Sequence, residues 1–273
     1  MTTRELLLQS FQAALAAADP LKIVPAHLPP PPKGRTLVVG AGKAAASMAK
    51  AVEDHWPADQ SLEGLVITRY GHSLPTKKIR VIEAGHPVPD ESGEQAAREI
   101  FDAVKSLGEN DLLLALISGG GSSLMSLPVA GVSMTDLKTV TKDLLNCSAT
   151  IQEINTIRKH LSLIQGGQLA AACKAPVCAL LISDVTGDEP TFIASGPCAP
   201  DPTTYADALD VLARYKISAP TSIQNHLAQG ARGDVAETPK PGDSIFARVE
   251  NKVIATAQQS LQAAADFFQA QNI

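Results

Sequence analysis

The sequence predicts an α/β protein built on a doubly wound, mostly parallel sheet, a Rossmann-like three-layer αβα architecture. Short apolar runs of strand length alternate with longer helical runs between residues 36 and 182, which is the pattern of βαβ units. Several of these runs are continuously apolar, Leu112 to Ile117 most clearly, as expected where helices cover both faces of a sheet. The chain has 273 residues, 45% apolar and 19% charged, enough to bury a full core without disulfides or metals.

Taken in order, residues 4–18 set Leu7, Phe11, Leu15 and Ala18 at helical spacing, the signature of an amphipathic helix. Pro20 ends it, and residues 29–32 form a rigid proline connector. Strands are expected at 36–39, 65–68, 80–83, 112–117 and 177–182. Helices are expected at 43–55, 91–107, 135–145, 151–161, 163–173 and 205–215. Residues 229–243 shift to Gly, Pro and charge, marking a linker or domain edge. A long helix is expected from Ser244, with Ile245, Val249, Val253, Leu261 and Phe268 near one face. The expected organisation is therefore a Rossmann-like domain over 1–240 and a helix over 241–273 that leads into a second, truncated domain. Apolar surface left exposed on that last helix would favour association, with a homodimer as the expected form.

Composition excludes several classes. A formal net charge of −5 with 4% aromatic residues does not suit a nucleic-acid binder, which needs a basic stripe and stacking rings. No uninterrupted apolar run exceeds six residues, far short of a membrane span. Arg4, Glu5, Gln9, Ser10 and Gln12 interrupt the first apolar stretch and make it a poor signal peptide. Cys147, Cys173, Cys178 and Cys198 show no CxxC or zinc spacing, so reduced thiols and a cytoplasmic location are expected.

Ligands of doubly wound sheets bind at the carboxyl ends of the strands, near the reversal in strand order. The segments after the five expected strands, 40–45, 69–73, 84–89, 118–123 and 183–189, are all rich in Gly, Ser, Asp, His or Lys. Gly40-Ala41-Gly42-Lys43-Ala44-Ala45 fits a loose G-x-G-x-x-A phosphate-binding turn. Arg69 and Tyr70 stand where a ribose-binding carboxylate would be expected, which disfavours NAD but suits a phosphate. Lys43 opposes the dipole of the helix it opens, as a cation facing a substrate carboxylate or phosphate would; a solvated lysine is the plain alternative. Ser118, Gly119, Gly120, Gly121, Ser122 and Ser123 follow the most apolar strand. Three glycines let backbone N–H groups curl around an anion, and three hydroxyls add donors. Asp184, Asp188 and Glu189 bring three carboxylates within six positions, hard oxygen ligands of the kind Mg²⁺ takes, although turn and helix-cap aspartates read the same way. Arg158, Lys159 and His160 close a helix, where cations also suit the dipole. His72 and His86 follow strands and are further acid–base candidates.

Four blocks in a fixed order, VVGAGKAAASMA, LISGGGSSLMSLP, INTIRKHLSLIQGGQLA and LISDVTGDEPTFIASGPCAPDPTT, resemble the glycerate 2-kinases that carry a MOFRL domain. Members of that family often bear the label hydroxypyruvate reductase. The resemblance runs from about residue 4 to the end of the chain. It implies MgATP-dependent phosphoryl transfer to the 2-hydroxyl of D-glycerate, giving 2-phosphoglycerate. It further implies ATP and Mg²⁺ as cofactors, and catalytic roles for Lys43, Asp184 and Asp188, the two aspartates holding the metal. Gly40, Gly42, Ser118–Ser123, Arg158 and His160 would hold substrate and phosphate. Gln165 and Gln168 stand where the family is expected to carry lysine and arginine, which would weaken anion binding beside the Arg158 helix. The family also continues into a second domain with a further Gly-rich segment and an arginine facing the substrate, so weak or absent activity is expected of this chain. An NAD(P)-dependent reductase and a non-catalytic nucleotide-binding remnant are the alternatives.

Overall fold

A computed structural model describes residues 2–271. Thr2 caps α1 (Thr3–Ala16) in a reciprocal pair with Glu5, and Asp19 caps the single turn α2 (Pro20–Ile23), with proline at its first position. The chain then runs through β1 (Thr36–Ala41), α3 (Ala45–His55), β2 (Leu62–Arg69), β3 (Ile79–Ala84), α4 (Glu91–Lys105) and β4 (Leu112–Ser118). After it come α5 (Gly121–Leu124), α6 (Met134–Asn146), α7 (Ile151–His160), α8 (Gln168–Ala172) and β5 (Val177–Ile182). The last elements are α9 (Tyr205–Arg214), α10 (Thr221–Ala231), β6 (Val249–Ala255) and α11 (Ala257–Ala270).

All six strands pair in parallel, in the order β3-β2-β1-β4-β5-β6. This is the Rossmann strand order, with its reversal between β1 and β4. Strand side chains alternate between faces, so Leu37 and Val39 join α4 and α8 on one side, while Val38 joins α3 and Trp56 on the other. Each fully buried Leu or Ile in β4 stabilises this sandwich by about 1.5–3 kcal/mol. A third cluster stands apart, where α6, α7, α9 and α10 pack Leu137, Val140, Ile157, Tyr205, Leu212 and Ile223 into a helical lobe. That lobe forms one wall of the site described below.

The structure departs from expectation in three places. The helix expected from Ser244 is a short 3₁₀ turn, Ser244–Arg248, followed by β6, which pairs Val249 with Val177 and Val253 with Leu181. Val249 and Val253 are four apart and mimic a helical face, but they also fall on one face of a strand, and burial against β5 selects the strand. The helix expected over 163–173 shrinks to α8, because Gly166 (φ +63°) and Gly167 (φ +81°) take left-handed conformations. Helix α10, which was not expected, sets only Ile223 and Leu227 as large apolar residues on its buried face, a short signal between Pro220 and the Gly-rich stretch that follows.

No helix among the described residues is long and apolar enough to cross a membrane. The four cysteines are free, and burial pushes the Cys198 thiol up to about 12, leaving it chemically inert.

Candidate active site at the strand reversal

The site is built where β1 and β4 lie side by side and their following connections diverge. Gly40 belongs to β1, where a Cβ would come within 2.0 Å of the Leu116 carbonyl, so glycine there permits the close approach of β1 and β4. Beyond it, the Gly42 N–H donates to Ile67 O (3.1 Å), the Lys43 N–H to Gly119 O (2.9 Å) and the Ala44 N–H to Ser118 Oγ (3.1 Å). The amides that a dinucleotide pyrophosphate would use are therefore already spent. Gly42 and Ser118, which is 1% exposed, stitch the two turns together.

The neighbouring loop has the opposite character. Gly120 (φ +88°) opens the turn of α5, and the amides of Gly119, Gly120, Gly121 and Ser122 have no protein acceptor among the described residues. The left-handed angle of Gly120 favours glycine, and a Cβ on Gly119 or Gly120 would have to displace the Asp184 or the His86 side chain, whose nearest atoms would lie at 2.0 Å and 2.7 Å. Ser123 Oγ turns back to Gly120 O (3.1 Å), while Ser122 Oγ meets Ser195 Oγ at 2.8 Å. Ser195 sits in a run of three left-handed residues, Ala194 (φ +50°), Ser195 (φ +60°) and Gly196 (φ +60°). Such strain persists only where surroundings enforce it: Ser195 O takes the Gly166 N–H (2.9 Å), and Gln165 Nε2 reaches Ser122 O (2.8 Å). Nothing in the sequence reading pointed to this strap or to Gln165 as a brace; three small residues in a row, Ala-Ser-Gly, are its faint signal.

Lys43 Nζ lies 3.6 Å from Asp184 Oδ2, with side chains 45% and 48% exposed. An ion pair that open is weak, so either partner can turn to a ligand. His86 approaches the same point from β3; burial, then Lys43 and Arg69, pull its pKa down against the opposing pull of Asp184. A cleft of about 840 Å³ runs from here to the helical lobe. His86, Gly120, Ser122, Asn155, Arg158 and Asp184 supply polar groups on its walls, and Val88, Leu137, Ile154 and Phe192 apolar ones. Arg158 has no acidic partner among the described residues, and burial lowers its pKa.

Two expected residues do not reach the cleft. His160 is buried on the far side of α7, its ring nitrogens 2.7 Å from Thr156 O and 3.2 Å from Glu237 Oε2. Its expected role as a substrate contact is thereby corrected. Asp188 adopts a left-handed conformation (φ +55°) and is not among the residues lining the cleft, whereas Asp184 is. Among the described residues no group of three or more His, Cys, Asp or Glu forms a metal cage. Mg²⁺ carried on a nucleotide takes one or two protein carboxylates and completes its shell with phosphate and water oxygens, and Asp184 fits that donor set.

The family described as Domain of unknown function (DUF4147) matches residues 6–228. The chain belongs to that family. An Agrobacterium vitis protein bearing a hydroxypyruvate reductase name is 50% identical over 97% of this chain and 59% of its own length. Glycerate 2-kinase of Pyrococcus horikoshii is 41% identical over 97% of this chain and 62% of its own. The crystal structure of glycerate kinase from Thermotoga maritima superposes with a TM-score of 0.86 at 38% identity, covering 99% of this chain and 63% of that one. The chain thus spans about three fifths of the length of the relatives it matches. The resemblance carried by the four sequence blocks is met by relatives of that name, and the doubly wound fold by the solved structure.

Proposed function

We propose that this site serves a glycerate 2-kinase, transferring the γ-phosphoryl group of ATP to the 2-hydroxyl of D-glycerate to give 2-phosphoglycerate. The observation that carries this reading is the contrast between two turns: the amides after β1 are consumed, while those of Gly119–Ser122 are free beside Lys43 and Asp184. Free backbone donors and a movable lysine suit a transferring phosphoryl group, whose chemistry asks mainly for positioning and neutralisation of charge. Consumed amides at the first turn, and Arg69 where a ribose carboxylate would stand, speak against hydride transfer from a nicotinamide.

In this reading the Gly119–Ser122 amides bind phosphate oxygens, Lys43 leaves Asp184 to meet the developing charge, and Asp184 holds Mg²⁺. When bound, the ion shields phosphate charge and orients the oxygens. His86, held neutral, accepts the proton of the attacking hydroxyl as the new O–P bond forms and the bond to the leaving ADP breaks. ATP and D-glycerate are the small-molecule partners, and the cytoplasm, where both substrates are found and thiols stay reduced, is the compartment.

The test is ADP release with MgATP in the presence and absence of D-glycerate. Weak glycerate-dependent ADP formation, lowered further by Lys43→Met, is the expected result. Absence of ADP together with NADPH oxidation by hydroxypyruvate would overturn the reading in favour of a reductase. ATP binding without ADP formation would favour the non-catalytic remnant.

A further inference from the structure

Helix α7 presents a second polar group to the cleft besides Arg158. Asn155 lies one turn earlier, three residues away, so both side chains fall on the same helical stripe. Asn155 is 4% exposed, it lines the cleft, and its carboxamide makes no hydrogen bond among the described residues; Oδ1 is buried without a partner. A buried amide left unpaired costs free energy, and the sequence had cheaper choices at this position, since the neighbouring Ile154 and Ile157 are apolar. Every other buried polar residue of α7 is bonded: Thr156 Oγ1 to Gln152 O, Lys159 to Thr191 and Asp201, His160 to Thr156 O and Glu237. Among the described residues Asn155 is thus the one buried polar side chain of α7 left without a partner, and it lines the cleft beside Arg158.

We propose that Asn155 and Arg158 together form the hydroxy-acid subsite, Arg158 taking the substrate carboxylate and the Asn155 carboxamide taking a hydroxyl of the acid. The inference rests on the kinase reading for the identity of the acid. An amide offers both a donor and an acceptor, which matches a hydroxyl and gives no comparable pairing to a methyl group. Asn155 would therefore distinguish a dihydroxy acid from its deoxy counterpart, because a ligand lacking the hydroxyl leaves the amide orphaned. The cleft leads from this pair to Ser122 and Gly120, so an acid anchored on α7 would extend toward the phosphate loop.

The experiment is calorimetric titration of this chain and of Asn155→Ala, Asn155→Asp and Arg158→Gln with D-glycerate and with D-lactate, alongside thermal unfolding of each variant. Asn155→Ala should bind glycerate roughly tenfold more weakly, bind lactate as the parent does, and keep or raise the melting temperature, because an unpaired buried amide has been removed. Asn155→Asp, which sets a carboxylate beside the ligand's own, should lose more, and Arg158→Gln should weaken both acids alike. Equal glycerate affinity in Asn155→Ala and parent, failure of the parent to bind glycerate, or a melting temperature that falls with no change in binding would each overturn the proposal. ADP formation is not part of this readout. A subsite that binds glycerate in a chain that releases no ADP would leave this inference standing while the kinase reading fell.

Discussion

Arg158, Lys159 and His160 are consecutive, yet they serve different purposes, because each step along a helix turns the side chain by about 100°. Arg158 faces the cleft, whereas Lys159 and His160 enter a buried network with Asp201, at 3.3 Å and 3.9 Å. Asp201 is fully buried and also accepts from Thr203 and Thr238. Burial alone would raise its pKa, but Lys159, the Thr203 hydroxyl and His160 outweigh burial and hold the carboxyl below the ordinary range. A depressed carboxylate contributes stability that is fully present above its unfolded pKa of about 3.9 and is lost as pH falls through the lower folded value. Asp201→Asn should therefore cost about 3–5 kcal/mol at neutral pH, as expected for an uncompensated buried charge, and the gap to the parent should close in acid. Melting curves at pH 7 and pH 3 check this; a gap that stays constant would show that another group titrates. The basic cluster was legible in sequence. Its division between cleft and core was not, since that depends on which face of α7 meets the α9 side of the lobe.

At the scale of elements, the glycine-rich loop after β4 owes its composition to its backbone and its neighbours. Gly120 and Gly131 have nearly the same left-handed backbone, φ +88° and +84°, but a Cβ on Gly120 meets His86 at 2.7 Å while one on Gly131 meets nothing within 4 Å. Alanine at Gly131 should cost only the backbone term, about 1 kcal/mol. Alanine at Gly120 should cost more and should also weaken ATP binding, by pushing His86 off the loop. Paired thermal melts and nucleotide titrations separate the two effects, and equal losses at both sites would discount the crowding. The five strands from β1 to β5 were legible because each carries strand-length apolar residues flanked by turn residues, and segments following β3, β4 and β5 line the cleft. β6 was not, because Glu250, Asn251 and Lys252 dilute its apolar face until only the pairing with β5 defines it. The Ala194–Gly196 strap was hidden for a related reason: its conformation is imposed by contacts with Ser122 and Gly166, both distant in sequence.

Across the whole molecule, three cores account for the sheet and the helical lobe, and one pair of helices stands outside them. Helices α1 and α11 pack on each other, but α11 buries no residue fully and Ser10 is the single buried residue of α1. Leu7, Phe11 and Leu261, on the two packed helices, remain 58%, 60% and 65% exposed, large apolar side chains that water solvates poorly. Sedimentation velocity should show concentration-dependent association that Leu7→Glu with Phe11→Glu abolishes while the melting temperature is kept. Monomers at every concentration would remove that face as an association surface. The sheet itself has a different relation to its surroundings. Among the described residues β6 has a strand neighbour on one side only, so its other row of backbone donors and acceptors is a template for any extended segment that comes alongside. Glu250 and Lys252, paired at 3.1 Å, flank that row, and an incoming strand would have to strip water from both charges. The same charged residues that disguise β6 in the sequence thus raise the cost of edge-to-edge pairing along it, the step that begins amyloid-like aggregation.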